Sequence, residues 1–108
     1  MIRTPFLVVA VFLLAGHAFA QDAMRGKQVY ADSKCSICHS VAGAGNKKGP
    51  LDDVGSRLSA ADIRLWITNA PEMAAKAKAE RKPAMKAYPN LAKEDLDALV
   101  AYLGTLKK

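Results

Sequence analysis

Cys35 and Cys38 stand three positions apart and His39 follows at once, in the stretch Cys35-Ser36-Ile37-Cys38-His39. No other feature of the chain limits its fold as strongly, because two thiols and an imidazole at this spacing are the attachment signature of a c-type haem. Each thiol adds across one vinyl group of the porphyrin, and the two vinyls lie along one edge of the ring. One helical turn with two intervening residues sets both sulfurs along that edge. The next residue then points under the ring, where His39 can bind iron as the proximal ligand. Three other readings compete. A structural zinc site takes four Cys or His ligands, usually in two separated pairs; the chain has two Cys and two His, and His17 falls in a segment expected to be removed. A thioredoxin-type redox pair belongs at the start of a helix in a βαβ pattern, and no strand-like alternation is present. A plain disulfide within the pair is chemically open to an exported protein, but it leaves His39 unexplained.

The chain opens like a secretory precursor. Arg3 supplies a short positive region, Phe6 to Ala15 is an unbroken apolar run, and Ala18-Phe19-Ala20 fits an A-x-A cleavage site. Residues 1–20 are therefore expected to be a signal peptide cleaved after Ala20, and residues 21–108 a single domain in a bacterial periplasm or an equivalent exported space. The run is too short to span a bilayer and Gly16-His17 interrupts it, so no stable membrane anchor is expected. Cleavage leaves 88 of the 108 residues. A domain this small buries a limited core and often needs a metal, a disulfide or another staple, a part that a covalent haem can fill. Its formal net charge falls from +6 to +5, because the leader removes Arg3 and no acid. That balance points to partners with acidic surfaces. Nucleic acid would satisfy the charge alone, but no nucleic-acid motif is present and the address is exported, so no nucleic-acid partner is expected.

Taken in order, the mature part reads as all-α. Asp22 to Lys34 is a first helix with Asp22 placed to cap it, and Gly26 inside it is a cost that a close helix crossing would explain. Ser40 to Arg57, punctuated by Gly43, Gly45, Gly49, Pro50 and Gly55, reads as loop. Ser59-Ala60-Ala61-Asp62 is a capping box opening a helix through Ile63, Trp66 and Ile67, which Asn69-Ala70-Pro71 closes. Glu72 to Arg81 reads as a short exposed helix and Lys82 to Asn90 as a Pro-rich loop. The last helix, about Ala92 to Thr105, carries the stripe Leu96, Leu99, Val100, Leu103 and Leu106. Its acids stand at the start and Lys107 and Lys108 past the end, as the helix dipole prefers.

From residue 22 to 106 this order and spacing resembles the c-type cytochromes, the small monohaem class I family in particular. The resemblance implies a class I cytochrome c fold, with N- and C-terminal helices crossing and haem c, one per chain and covalent through two thioethers, enclosed by helices and loops. It implies that Gly26 admits the terminal helix with Tyr102 resting on it. It implies that Pro50 packs against the proximal side of the haem, and that a nearby backbone carbonyl accepts the second ring N–H of His39, fixing the imidazole. Trp66 is expected against the haem on the side away from His39. Ala92 stands where many relatives carry a Ser or Thr cap.

After cleavage His39 is the only imidazole, so the sixth iron ligand falls to a thioether. Met24, Met73 and Met85 are the candidates. Met85 lies in a loop bracketed by Pro83 and Pro89, and Met85-Lys86-Ala87-Tyr88-Pro89-Asn90-Leu91 resembles the family's axial-Met segment, with Lys86 where relatives often have Pro. Met85 is the expected ligand and Met73 its rival. Thioether and imidazole together favour reduced iron and leave no position open to substrate, and no Ser-His-Asp set, carboxylate pair or phosphate loop is present. The expected function is a one-electron carrier rather than an enzyme. A dedicated haem subunit of a periplasmic dehydrogenase or oxidoreductase complex is the alternative, and an enzyme or gas sensor with an open iron position a third. Lys76, Lys78, Arg81, Lys82 and Lys86, with Lys47 and Lys48 from the other loop, form the expected docking face for acidic redox partners.

Overall fold

The computed structural model describes the backbone of residues 11–108 and the side chains of residues 21–108. Of the expected leader, Arg3, the first part of the apolar run and the side chains of the Ala18–Ala20 cleavage site lie outside the described residues. Helix α1 spans Val11–Asp32 and leads into one 3-10 turn at Cys35–Ile37. Two short strands follow, β1 (Ser40–Val41) and β2 (Ala44–Gly45), paired antiparallel with Ser40 opposite Gly45 and Val41 opposite Ala44. Four further helices complete the chain: α2 (Val54–Arg57), α3 (Ala60–Thr68), α4 (Ala70–Ala77) and α5 (Lys93–Gly104). The domain is mostly helical, and the small sheet is an addition to the expected all-α class. Among the described residues no helix is long and apolar enough to cross a membrane.

The boundaries show where local preference was overridden. Asp22 lies inside α1 rather than at its start, because residues 11–21 contain no Pro and extend the ladder of backbone bonds toward the N-terminus. At the other end α1 stops at Asp32, short of Lys34, since Lys34 takes a left-handed conformation with φ 58°. Helix α3 begins as expected: the Ser59 hydroxyl accepts the Asp62 N–H at 3.1 Å. Ala70-Pro71 opens a new helix as well as closing the old one, with Asn69 (φ −142°) between them and Pro71 in the first turn of α4, where its missing N–H costs nothing. Helix α4 ends at Ala77, not Arg81. Lys78 turns left-handed (φ 52°), its N–H bonds to Ala75 O at 3.2 Å, and the Ala79 N–H bonds to Ala74 O at 2.9 Å, the paired closure of a Schellman end. Helix α5 starts at Lys93 with no side-chain cap at Ala92, as the sequence predicts.

Helices α1 and α5 form the principal packing contact of the domain. Gly26 makes it close: a β-carbon there would run into the Ala98 carbonyl oxygen and sit 2.5 Å from Tyr102 Cβ. One turn on, the Tyr30 ring meets Tyr102 edge-on with centroids 5.9 Å apart, a favoured aromatic geometry. Around this crossing Val29, Val54, Ile63, Ile67, Leu99, Val100 and Leu103 bury their side chains, and Leu96 and Leu106 pack at the margin. Arg64 pairs with Asp97 at 2.7 Å between α3 and α5.

Gly26→Ala tests the crossing through the sign of its effect. A helix interior normally gains about 1 kcal/mol from this change. Here overpacking opposes it, and the holoprotein should lose roughly 1–2 kcal/mol, read as a lower melting midpoint. A raised midpoint would show that α1 does not approach α5 at Gly26.

Candidate functional site

The left-handed Lys34 turns the chain out of α1, and the 3-10 turn carries the thiols. The Cys38 N–H and the His39 N–H both bond to Cys35 O, at 3.1 and 2.9 Å, so Cys35, Cys38 and His39 share one tight turn. Both cysteines are free thiols and half-buried. Burial pushes the Cys35 thiol up, its own backbone bond pulls back, and Cys38 adds to the rise. Cys35 packs against the core, whereas Ile37 between the thiols is 65% exposed.

His39 is held by its ring. Nδ1 lies 3.0 Å from the carbonyl oxygen of Gly49. A carbonyl only accepts, so Nδ1 carries the hydrogen and Nε2 of the neutral ring keeps its lone pair. Burial pushes the His39 pKa below its usual range, the bond to Gly49 opposes this, and the charge of Arg81 lowers it further. The neutral imidazole, the form that binds a metal, is therefore favoured.

The stretch expected to be loop builds the support for that carbonyl. Two-residue strands are too short to show alternation in sequence, and so is the single turn of α2. The Ser40 N–H also bonds to Gly49 O (3.1 Å), the Leu51 N–H returns to Ser40 O (2.9 Å), and Ser40 bridges Pro50 in parallel. The hairpin turns on Ala42 (φ 51°) and Gly43 (φ 80°), the positive pair that a two-residue turn between twisted strands requires. Asp52 steadies it by accepting the Ala42 N–H at 2.7 Å.

Asn46 is the residue that sequence reasoning missed. Its N–H reaches Ser36 O (3.1 Å) and His39 O (3.0 Å), and its side-chain amide donates to Ile37 O at 3.1 Å. Its Oδ1 accepts the Lys48 N–H at 3.0 Å, the local turn that Asn side chains favour; an Asn beside Gly45 was the available signal. Gly45 permits this approach: it has φ +107°, and a β-carbon there would collide with His39 O and stand 3.2 Å from Ser36 Cβ.

The other expected site residues fall into two groups. Pro50 is joined to the His39 turn through Ser40, and its ring is exposed. Met85 and Trp66 belong with α3 and the loop after α4. Trp66 is half-buried and stands outside the core cluster that takes up Ile63 and Ile67. Met85 is half-buried in its loop, which Tyr88 fastens through two bonds: its N–H bonds to Ile67 O at 2.7 Å and its hydroxyl donates to Ser33 O at 3.2 Å. Burial is the main cause that raises the Tyr88 pKa, and the Cys35 and Cys38 thiols add to it; the bond to Ser33 O ties this loop to the segment just before the thiol turn. Met73 is half-buried on α4, and Met24 is 74% exposed on α1.

Two free thiols on one turn, followed by an imidazole oriented through Nδ1 with Nε2 free, fit covalent haem with His39 on the iron. They do not assemble a zinc site: among the described residues no three His, Cys, Asp or Glu side chains converge for a bare metal ion.

Comparison with known proteins gives the family. The family model described as Cytochrome c matches residues 23–107. Cytochrome c oxidase subunit 2 of Alkalihalophilus pseudofirmus is 32% identical over 94 residues, covering 79% of this chain and 26% of that protein. The chain thus spans about a quarter of that relative's length. No solved structure matches.

Proposed function

The chain belongs to the cytochrome c family, so its chemistry is haem-based electron transfer, and we propose that it is a periplasmic carrier of single electrons with one covalent haem c. In this reading Cys35 and Cys38 form the two thioethers, His39 and Met85 are the axial ligands, and helices and loops enclose the group in the class I arrangement. The bond from His39 Nδ1 to Gly49 O at 3.0 Å, beside two free thiols, carries the proposal. The export signal read in residues 1–20 supports the periplasmic address.

When bound, the haem supplies an iron that gains and loses one electron. The chain's residues do the rest. Cys35 and Cys38 fix the group to the end of α1. His39 presents Nε2, and Gly49 keeps its ring from rotating while making it a better donor. Pro50 on the His39 side and Trp66 on the other would cover the faces and keep water out, and Met85 would close the sixth position. With both axial positions filled the protein would offer no substrate site, which makes it a carrier rather than an enzyme.

Exposed cations lie on the two loops beside the thiol turn and on the last turn of α4: Lys76 on α4, Lys78, Arg81, Lys82 and Lys86 on the loop after it, Lys47 and Lys48 on the other. Little neutralises them. Lys76 faces Glu72 at 3.6 Å, and Lys86 Nζ stands 5.2 Å above the Tyr88 ring. We assign them to docking of redox partners with acidic surfaces. The likeness to an oxidase subunit favours a second reading, a dedicated haem subunit of an oxidoreductase complex. Size exclusion of native extract separates the two: co-elution with a large complex supports the subunit, elution at the size of the free chain the carrier.

Two outcomes are expected of the holoprotein. Met85→Ala should abolish the sulfur-to-iron absorption band of the oxidised form, lower the reduction potential and admit carbon monoxide, while Met73→Ala does none of these; the reverse pattern transfers the ligand role to Met73. The second-order rate of electron transfer to its native partner should fall steeply as the Debye length drops from ~10 Å at 0.1 M salt to ~3 Å at 1 M. A rate that is flat or rises would mean that docking is apolar.

A further inference from the structure

Arg81 lies beyond the end of α4, on the segment that continues to Met85. Its guanidinium is not loose in solvent. A β-carbon built on Gly49 would run into Arg81 Nη1, lie 3.0 Å from Arg81 Cζ and collide with Cys38 O. The guanidinium therefore fills the space that a side chain at position 49 would need, against the backbone of the residue whose carbonyl holds His39. Each of the other described arginines has a carboxylate partner: Arg25 with Asp95, Arg57 with Asp53 and Arg64 with Asp97. Among the described residues Arg81 has none. An uncompensated, permanently charged group thus sits beside the proximal ligand.

We propose that Arg81 is a positioning residue of the haem site, whose guanidinium, seated on Gly49, raises the reduction potential of the iron that His39 binds. The proposal rests on the reading of His39 as iron ligand and holds whichever Met completes the coordination. Taking up one electron from a one-electron donor lowers the charge of the site by one. A fixed cation nearby disfavours the more positive, oxidised state by more than the reduced one, so its removal lowers the potential. Arg81 is exposed, so the effect is screened by salt.

The test is potentiometric titration of the holoprotein with one-electron mediators, at low and high ionic strength, for wild type, Arg81→Gln, Arg81→Lys and the control Lys107→Gln, which removes the same charge near the C-terminus. Arg81→Gln should lower the potential by more than Lys107→Gln does, with an unchanged visible spectrum. The gap from wild type should narrow with salt, and Arg81→Lys should fall between. An Arg81→Gln potential equal to the control, or an Arg81→Lys variant that falls as far as Arg81→Gln, overturns the electrostatic role. Absence of a haem spectrum from the wild-type chain would overturn the haem reading and this proposal with it; a normal spectrum with an unmoved potential overturns the role of Arg81 alone.

Discussion

The hydrogen bond from His39 Nδ1 to the carbonyl oxygen of Gly49, 3.0 Å long, is the contact on which the site depends. It fixes the tautomer, aims the ring and leaves Nε2 as the donor. One such bond contributes only about 0.5–1.5 kcal/mol to stability, so its value lies in direction. Much of the loop from Ser40 to Asp52 serves that direction. Ser40 shares the same acceptor, the hairpin sets the return path, Asp52 pins the hairpin turn, and Asn46 ties the loop back to the turn that carries the thiols.

The remainder of the fold brings that turn to a core which is thin without its cofactor. Among the described residues no large side chain is completely buried, and the principal contact is one helix pair, α1 on α5. A domain of this size needs an additional apolar body or a covalent staple, and a haem joined at Cys35 and Cys38 would be both. The thiols sit just past the end of α1, so the crossing at Gly26 and the thiol turn are one unit: the helix that anchors the fold delivers the sulfurs.

Much of this was legible in the sequence because it rests on local chemistry. The Cys35–His39 spacing, the Ser59 cap, the uncapped start at Ala92 and the Leu99–Leu103 stripe each leave a residue-level mark, whereas the pairing of Gly26 with Tyr102 came from the family resemblance. The rest left little. The hairpin is too short for alternation to register, and its turn places Ala42 where Gly or Asn is usual. Helix α4 stops at a left-handed Lys78 with no Gly to announce it. Asp22 looked like a cap because the chain was read from the expected cleavage point, whereas the ladder of α1 runs through it. Asn46 left only its place beside Gly45 as a mark, because its bonds to Ser36 O and His39 O run through a backbone N–H, which any residue but Pro possesses. Of the site, the turn of Cys35, Cys38 and His39 was readable from spacing and a carbonyl near Pro50 only through the family resemblance; the seat of Arg81 on Gly49 is a long-range contact with no periodic signature. Met85 and Met73 are both half-buried, and what would separate them is proximity to iron rather than any propensity.

The most direct measurement of the central claim is the intact mass of the exported protein under denaturing acid. Thioethers survive acid where a coordinated haem does not. The chain should therefore carry the added mass of one haem, and peptide mapping should place it on the segment containing Cys35 and Cys38. A polypeptide of bare mass, or one lighter by the two hydrogens of a Cys35–Cys38 disulfide, would contradict the account.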